Sequence, residues 1–318
     1  MVDDRAFDPA TVVGVSQPTD RPADGHPGVL AVIEFDRTTG AATGHRLADP
    51  RTPQLTVTDL AATRGDGVFE SISVTDGRTQ ALEAHLLRFA HSAAMLDLPA
   101  PDVAIWYAAV EETAARLHAA TSASEGLVKI VISRGIEGGS VPTGWAYAFV
   151  APDFTAARRE GIRVVLLDRG YRHDVAATAP WLLAGAKTLS YAVNRAVVRE
   201  AQRRGADDVL FLSSDGYLLE GAVSNLLIKR GDELVTPRTD LGILTGTTQV
   251  DLFRWAEGAG YRIGYELLTP ADLESAEAAW LVSSGRHVAP IRAVDGIDRP
   301  IDIELTAAMN QFLHDRPE

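Results

Sequence analysis

Residues 186–248 constrain the architecture of this chain more than any other stretch. A lone lysine, Lys187, lies in the segment AKTLSY, and Glu220 lies further along in YLLEGAVSN. The stretch ends on GILTGTTQ, in which Thr247 and Thr248 follow a glycine. In physical terms these are an amine, a carboxylate in an apolar strand, and a turn that opens a helix.

Each of these residues has an ordinary structural interpretation and a chemical one. Lys187 either extends to solvent or is held, partly desolvated, as a neutral amine that can form an imine. Glu220 is either an exposed hairpin residue or the partner of a cation, because an unpaired carboxylate in an apolar strand is costly. Thr247 and Thr248 either cap the helix or bind a phosphate at its N-terminus. Together, the chemical interpretations match what pyridoxal phosphate (PLP) requires.

Charge and composition disfavour several other classes of function. The formal net charge of −13 opposes nucleic-acid binding, which needs a basic face. The chain has no cysteine, which removes thiol catalysis, thiolate metal sites and disulfides. Its eight histidines show no metal-binding spacing, so we expect no metal site. It also lacks GxSxG, Walker and Rossmann signatures, so a hydrolase, a kinase or a dehydrogenase is not favoured.

Length and hydropathy are typical of a globular protein outside the membrane. A chain of 318 residues, with 46% hydrophobic and 23% charged residues, is long enough for two domains or one large one. It has no apolar run of membrane-spanning length and no signal-peptide core. We therefore expect a cytoplasmic protein that has no membrane partner.

Periodicity and breaker residues divide the chain into a leader (1–28), a first part (29–151), a linker (152–160) and a second part (161–318). The first part favours an α+β class, because its hairpins and helices are segregated. Its predicted strands are 29–35, 66–74, 79–82, 127–133 and 145–150, and its helices are 83–96 and 103–119. In the second part the predicted strands are 162–168, 208–213, 222–228, 278–283 and 288–294, and the helices are 189–204, 247–258 and 301–313.

Other polar residues have interpretations that the sequence leaves open. Arg88, in HLLRF, is either a surface arginine or a charge-assisted clamp on a phosphate. Lys129 shares one strand face with Val131 and Ser133, and that face borders either solvent or a cleft. Ser284, in the small-residue turn SSG, is part of either a simple bend or a binding loop.

The order of six motifs resembles the class IV PLP-dependent aminotransferases. That family includes branched-chain aminotransferases, D-amino-acid aminotransferases and 4-amino-4-deoxychorismate lyases. The motifs are RGDGVFES, HLLRF, VKIVISRG, KTLSY, EGAVSNL and GILTGTT. The resemblance extends over about residues 29–296, and it is the joint order and spacing of the motifs that is specific.

The resemblance implies a role for each matching residue. Lys187 matches the lysine that forms the Schiff base with PLP and shuttles protons, and Glu220 matches the carboxylate on the pyridine nitrogen. Tyr191 is similar to the tyrosine that bonds the phenolic oxygen. The phosphate would be held by Arg88, Thr247, Thr248 and Ser284. The implied fold, D-amino-acid-aminotransferase-like fold type IV, has a small N-terminal α+β domain and a larger C-terminal PLP-binding domain with the site between them. The implied assembly is a homodimer.

The choice of reaction depends on the substrate pocket. Lys129 resembles the lyase pattern, which predicts conversion of 4-amino-4-deoxychorismate to 4-aminobenzoate and pyruvate, on the route to folate. The loop IEGGSV at 136–141 lacks the arginine of that pattern. The alternative is therefore an aminotransferase acting on D-amino acids, branched-chain amino acids or amines, and a cofactor-storing protein is a third possibility. Candidate contacts for the small-molecule amino substrate are Arg64, Phe69, Lys129 and Arg286.

Overall fold

The computed structural model describes residues 28–316, whose strands form two β-sheets. The expected leader lies outside the described residues except for Gly28. Two-sheet α/β organisation agrees with the predicted fold class. Among residues 28–316, no helix is long and apolar enough to cross a membrane.

The first sheet has six antiparallel strands in the order β2-β1-β6-β5-β3-β4. The strands are β1 (Val29–Phe35), β2 (Ala42–Ala48), β3 (Gly67–Thr75), β4 (Arg78–Thr79), β5 (Glu125–Ser133) and β6 (Thr143–Val150). Helices α2 (Leu82–Met95) and α3 (Val103–Thr121) cover one face, after the short α1 (Leu60–Thr63). Their core includes Phe89 and Trp106, whose ring centroids are 5.0 Å apart. Because side chains alternate along a strand, Phe69 and Lys129 lie on the opposite face.

The second sheet is mixed, and its main path runs β12-β11-β10-β13-β14-β7-β8-β9, with β15 beside β14. Its strands are β7 (Ile162–Asp168), β8 (Asp208–Leu212), β9 (Leu218–Gly221), β10 (Asn225–Arg230), β11 (Glu233–Pro237), β12 (Arg262–Glu266), β13 (Ala278–Ser283), β14 (His287–Val294) and β15 (Ile297–Asp298). Its helices are α4 (Thr155–Glu160), α5 (Val175–Thr178), α6 (Ala192–Arg203), α7 (Thr247–Gly258), α8 (Pro270–Ser275) and α9 (Ile303–Asp315), with a 3₁₀ turn at Pro180–Leu182.

We propose that residues 152–160 separate two domains, 29–151 and 161–318. All strands of the first sheet precede this segment and all strands of the second follow it. The segment is tied to both parts rather than loose. Arg158, on α4, donates to Glu125 of β5 at 2.8 Å and to the carbonyl oxygen of Arg286 at 3.0 Å.

Three element predictions are wrong in their bounds. The return strand predicted at 79–82 ends at Thr79, because Ala81 has a left-handed backbone (φ 52°) and α2 begins at the next residue. The helix predicted from residue 189 begins only at Ala192, because the preceding residues pair with β3. The strand predicted at 222–228 begins only at Asn225, because residues 222–224 form the turn between β9 and β10, which Gly221 N closes by donating to Ser224 O at 2.7 Å. No predicted strand range covers β2, β9, β11, β12 or β15, and the short helices α1, α4, α5 and α8 were not predicted.

Candidate active site

The segment that carries Lys187 is held against β3 by backbone pairing. Phe69 N donates to Lys187 O at 3.0 Å, and Leu189 N donates to Gly67 O at 2.8 Å. Lys187 N donates to Ser92 Oγ at 3.2 Å, which ties the same segment to α2. The lysine backbone is therefore fixed from two elements of the first sheet layer, although the residue belongs to the second part of the chain.

The Lys187 amine is half-buried and electrostatically perturbed. Its Nζ lies 4.6 Å from the centroid of the Phe69 ring, a cation–π distance. The pKa of Lys187 is lowered to about 8, mainly by burial; the positive charges of Arg88 and Lys129 act in the same direction, and the charges of Glu70 and Glu220 oppose them. At this pKa roughly a tenth of the amine is neutral and nucleophilic at pH 7.

Glu220 lies on β9, and its charge interacts with that of Lys187. Burial raises the pKa of Glu220 to about 7, against the opposing effects of Arg169, Lys187 and the N–H of Leu244, which donates to its Oε2 at 3.1 Å. A desolvated carboxyl in this state is one that a cationic ring nitrogen would hold ionised. The structure thus places the predicted amine and the predicted carboxylate within electrostatic reach of each other.

Tyr191 contacts the neighbours of these two residues, Phe69 beside Lys187 and Ala222 just after Glu220. Its ring packs edge-on against Phe69 with centroids 5.3 Å apart. Its hydroxyl donates to Ala222 O at 3.2 Å, two residues beyond Glu220, and Asn194 Nδ2 donates to the same oxygen at 2.6 Å. The start of α6 is thereby tied to the end of β9.

Three hydroxyl groups meet where α7 begins, and we call Thr247, Thr248 and Ser284 the hydroxyl cluster. Thr248 Oγ1 lies 3.3 Å from Ser284 Oγ, and the turn between β13 and β14 supplies the serine. Gly246 is the N-cap of α7 and has no side chain to satisfy the first amide groups of the helix. A helix start with unsatisfied amides and nearby hydroxyls is suited to an anion.

Arg88 reaches the hydroxyl cluster through a buried network. Its guanidinium donates twice to Glu70, at 2.7 Å each, and once to Thr245 O at 2.7 Å, just before the cluster. Glu70 also contacts His85 Nδ1 at 2.8 Å. His85 Nε2 lies 3.2 Å from both Thr247 Oγ1 and Ser284 Oγ. Burial opposes ionisation of Glu70, but Arg88 and His85 outweigh it and hold the pKa of Glu70 below its usual range.

This donor set fits PLP. It offers a perturbed amine for the aldehyde, a buried carboxyl for the pyridine nitrogen, and hydroxyls with an arginine and a helix N-terminus for the phosphate. The three parts come from elements that meet between the two sheets. Among residues 28–316, no group of three or more His, Asp or Glu side chains is arranged to hold a metal ion.

The candidate substrate residues differ in their burial and in whether their charge already has a partner. Lys129 is half-buried on the face that carries Phe69, and its charge acts on Lys187. Arg64 is exposed, and the next residue, Gly65, accepts from Ser190 Oγ at 3.3 Å. The guanidinium of Arg286 donates to Asp208 at 2.7 Å, so this arginine is already committed to an ion pair.

Sequence reasoning assigned no role to Glu70, His85 or Arg169. Glu70 shares its strand face with Val68 and Ile72, so a charge at an apolar position of β3 was the available signal. Arg169 lies 4.2 Å from the centroid of the Phe211 ring, and its charge lowers the pKa of Glu220. No local pattern connects it to Glu220, which lies 51 positions away in the sequence.

The chain belongs to the class IV aminotransferase family: residues 67–294 match the family model described as amino-transferase class IV. It is a PLP-dependent enzyme of the group that contains class IV aminotransferases and aminodeoxychorismate lyases.

Similar proteins are known by sequence and by structure. A Mycobacterium tuberculosis protein called bifunctional aminodeoxychorismate lyase / D-amino acid transaminase is 47% identical over 79% of this chain and 89% of its own length. The fold IV-transaminase CpuTA1 from Curtobacterium pusillum is 51% identical, with a TM-score of 0.86 over 91% of this chain and 99% of that one. The PLP-bound form of a hypothetical aminotransferase from Mycobacterium tuberculosis is 41% identical, with a TM-score of 0.84 over 91% of this chain and 99% of that one.

Proposed function

We propose that this enzyme transfers the amino group of D-amino acids to an oxo acid and, in the same site, converts 4-amino-4-deoxychorismate to 4-aminobenzoate and pyruvate. The observation that carries both activities is the 47% identity to a relative named for both of them. The missing cation in the loop at 136–141 argues against a site specialised for the lyase substrate alone. Both reactions need an amine that moves a proton at the carbon bearing the substrate nitrogen.

In this proposal, Lys187 both attaches the cofactor and moves that proton. PLP supplies an aldehyde that bonds amines and a ring that withdraws electrons from the reacting carbon. Lys187 Nζ takes the proton in its neutral form, which its lowered pKa of about 8 favours. The Phe69 ring beside this nitrogen excludes water from one side.

In this proposal, the other residues of the site each contact a different part of the cofactor. Glu220 holds the pyridine nitrogen protonated, and the charge of that nitrogen in turn lowers the raised pKa of Glu220. Tyr191, whose ring packs on Phe69, orients the cofactor ring when its hydroxyl hydrogen turns from Ala222 O to the phenolic oxygen. Arg88 and the hydroxyl cluster hold the phosphate.

For the substrate, we propose Lys129 as the first carboxylate contact. It is half-buried on the face of β5 that shares the cleft with Phe69, and its charge already acts on Lys187. Arg64 lies at the exposed rim beside the lysine segment and can meet a second carboxylate. Arg286 binds substrate only if it leaves Asp208, so we rank it last.

The transaminase activity is tested by a half-reaction. Purified enzyme mixed with D-alanine in the absence of an oxo acid is expected to pass from the absorbance of lysine-bound PLP to that of pyridoxamine phosphate. Adding α-ketoglutarate is expected to restore the first spectrum. L-leucine serves as the control donor. A spectrum that does not change with D-alanine would remove the transaminase from the proposal.

The lyase activity has an independent readout. The same preparation supplied with 4-amino-4-deoxychorismate is expected to produce the fluorescence of 4-aminobenzoate, and Lys187→Ala is expected to abolish it. If fluorescence stays at background while D-alanine reacts, the enzyme is a transaminase alone. If neither reaction occurs, the assignment of substrates is wrong although the family membership stands.

We also propose that the enzyme is a homodimer. Exposed apolar side chains lie within a few positions of the proposed cofactor residues: Leu87 (70% exposed), Trp181 (75%), Leu182, Val193 and Val223. Large apolar side chains left exposed beside these residues in the sequence favour a surface that another subunit covers. Trp181→Asp is expected to shift the sedimenting species from dimer to monomer, whereas Ile297→Asp, on exposed β15, is not. A monomeric wild-type protein would contradict this.

A further inference from the structure

His85 is a fully buried histidine whose two ring nitrogens face different partners. Nδ1 lies 2.8 Å from Glu70 Oε2, and Nε2 lies 3.2 Å from both Thr247 Oγ1 and Ser284 Oγ. Glu70 is held ionised, so it only accepts hydrogen bonds, and Nδ1 must therefore carry a hydrogen. The only ring position that can change its protonation is Nε2, which points at the hydroxyl cluster.

The number of hydrogens on the hydroxyl groups and on Nε2 limits how many hydrogen bonds the hydroxyl cluster can donate to an anion. If Nε2 has no hydrogen, at least one of Thr247 and Ser284 must donate to it, because a buried nitrogen lone pair without a partner is costly. The hydroxyl hydrogen that is used in this way cannot also be donated to an anion. If Nε2 carries a hydrogen, it donates to a hydroxyl oxygen, and both hydroxyl hydrogens become available.

A phosphate dianion at the hydroxyl cluster favours the second arrangement for two reasons. It has only acceptor oxygens, so it gains from each hydroxyl hydrogen that turns toward it. It also adds negative charge next to a buried network in which the charges of Glu70 and Arg88 already balance. An imidazolium at His85 would place a positive charge one hydroxyl group away from the dianion, and that attraction favours the protonated ring.

We propose that His85 takes up a proton at Nε2 when the phosphate of the cofactor binds, and so turns the hydroxyl hydrogens of Thr247 and Ser284 toward that phosphate. His85 is a positioning residue in this role, since it acts through the hydroxyls. The inference rests on the proposed phosphate position at the hydroxyl cluster.

The surroundings of His85 agree with a ring that is neutral before binding. Burial lowers the pKa of His85, with Arg88 and Arg316 acting in the same direction and Glu70 opposing them. The elements packed against the ring contribute Glu70 from β3, Arg88 from α2, the two hydroxyl-bearing turns, and Arg316 after α9. Glu70 is the one anion among these groups, and the phosphate adds a second.

The linkage predicts how affinity depends on pH. Because the complex holds one more proton than the free protein, affinity for a phosphate ligand is expected to fall by about tenfold per pH unit between the pKa of His85 in the free protein and its higher pKa in the complex, and to level off above the latter. The ligand itself does not cause this fall, since phosphate monoesters are already dianions above a pKa of about 6.

The test uses full-length enzyme freed of PLP, and pyridoxamine 5′-phosphate as the ligand, since this ligand forms no imine with Lys187. Calorimetry at pH 8 in two buffers of different ionisation heat gives the number of protons taken up on binding. Pyridoxamine, which lacks the phosphate, gives the background. We expect an additional uptake of up to about one proton for the phosphorylated ligand, absent in His85→Gln. His91→Gln, an exposed histidine on the same helix, is the matched control and should keep the uptake.

A second measurement does not need the variant to fold. Nitrogen-15 NMR of histidine-labelled wild-type enzyme at pH 8 is expected to gain one imidazolium signal when the ligand is added, because exposed histidines are neutral at this pH. Equal proton uptake in wild type and His85→Gln, or no new imidazolium signal, would overturn the inference while leaving the phosphate site in place. If Thr247→Val leaves the affinity for pyridoxamine 5′-phosphate unchanged, the phosphate position itself is wrong and the inference falls with it.

Discussion

At the scale of single residues, the proposed chemistry depends on how far burial moves the pKa values of Lys187 and Glu220 toward neutrality. Burial lowers the pKa of Lys187 to about 8 and raises that of Glu220 to about 7. In water, an amine is charged and a carboxyl ionised at pH 7. The same desolvation therefore prepares the lysine to act as a nucleophile and leaves the carboxyl in need of a cation.

The pKa of Lys187 predicts the pH dependence of cofactor attachment. The neutral amine is the reacting form, so the rate at which cofactor-free enzyme attaches PLP is expected to rise with pH and level off above about pH 8. Lys129→Gln removes a positive charge that lowers this pKa, so its rate profile should be displaced to higher pH. Stopped-flow absorbance measures both. A rate that still climbs between pH 9 and 10, as an ordinary lysine would give, would contradict the burial argument.

Glu220→Gln tests the carboxylate. Glutamine keeps the shape of the side chain but cannot carry the negative charge that holds a pyridine nitrogen protonated. We expect turnover with D-alanine to fall by about 10²-fold or more while PLP stays attached to Lys187. Glu83→Gln, an exposed carboxylate at the start of α2, should keep full turnover. Unchanged turnover in Glu220→Gln would remove the residue from the cofactor site.

At the scale of elements, α7 matters because its first turn supplies part of the hydroxyl cluster. Gly246, its N-cap, has no room for a side chain: a Cβ there would lie 1.9 Å from Asn225 Oδ1. The Nδ2 atom of Asn225 donates to Leu244 O at 2.7 Å, and this contact holds the loop that leads into the helix. The start of the helix is therefore positioned by β10, and not by a capping side chain of its own.

Gly246→Ala is expected to displace this turn and weaken PLP binding by about tenfold or more, equivalent to about 1.4 kcal/mol. Equilibrium titration of cofactor-free enzyme with PLP measures the affinity. Gly258→Ala, at the other end of α7, meets nothing within 4 Å and is the matched control. It should leave PLP affinity unchanged and raise the free energy of unfolding by up to about 1 kcal/mol. Equal affinities for the two variants would show that the turn tolerates displacement.

Elements differ in how well their bounds follow from local sequence. The strand at Ile162–Asp168, the helix at Thr247–Gly258 and the strand at Ala278–Ser283 lie where hydrophobic runs and turn residues predict them. The residues just before α6 have good helical periodicity, but Thr188 and Leu189 pair with β3 instead. The energy gained by that pairing depends on a strand more than 100 positions away, which no local window contains.

At the scale of the whole molecule, the end of α9 joins the two sheet layers. Arg316 donates to Asp251 of α7 at 2.8 Å and to Ser73 of β3 at 3.1 Å. Gln80 Nε2 donates to Leu313 O at 2.8 Å in the same place. Helix α7 carries Thr247 and Thr248 of the proposed phosphate site, and β3 leads through β4 to α2, which carries Arg88. The contacts of Arg316 with α7 and β3 therefore hold these two parts of the site together.

Arg316→Gln is expected to lower the free energy of unfolding by roughly 3 kcal/mol, because it leaves the largely buried Asp251 without its buried partner. Arg254→Gln removes an exposed arginine from the same aspartate and should cost at most about 1 kcal/mol. Urea denaturation followed by circular dichroism measures both. Equal losses for the two variants would mean that the buried contact adds nothing beyond a surface ion pair.

The nature of the cofactor could be inferred from residues close together in the chain, whereas the way in which the proposed phosphate site is assembled could not. Lys187, Glu220 and the Gly-Thr-Thr turn are recognisable because each lies in a short segment whose apolar neighbours make a polar group conspicuous. His85 meets Thr247 across 162 positions and Ser284 across 199. Such contacts leave no periodic trace in the sequence. The side chains of His85, Thr247 and Ser284 share hydrogen bonds only after the two sheets have packed against each other.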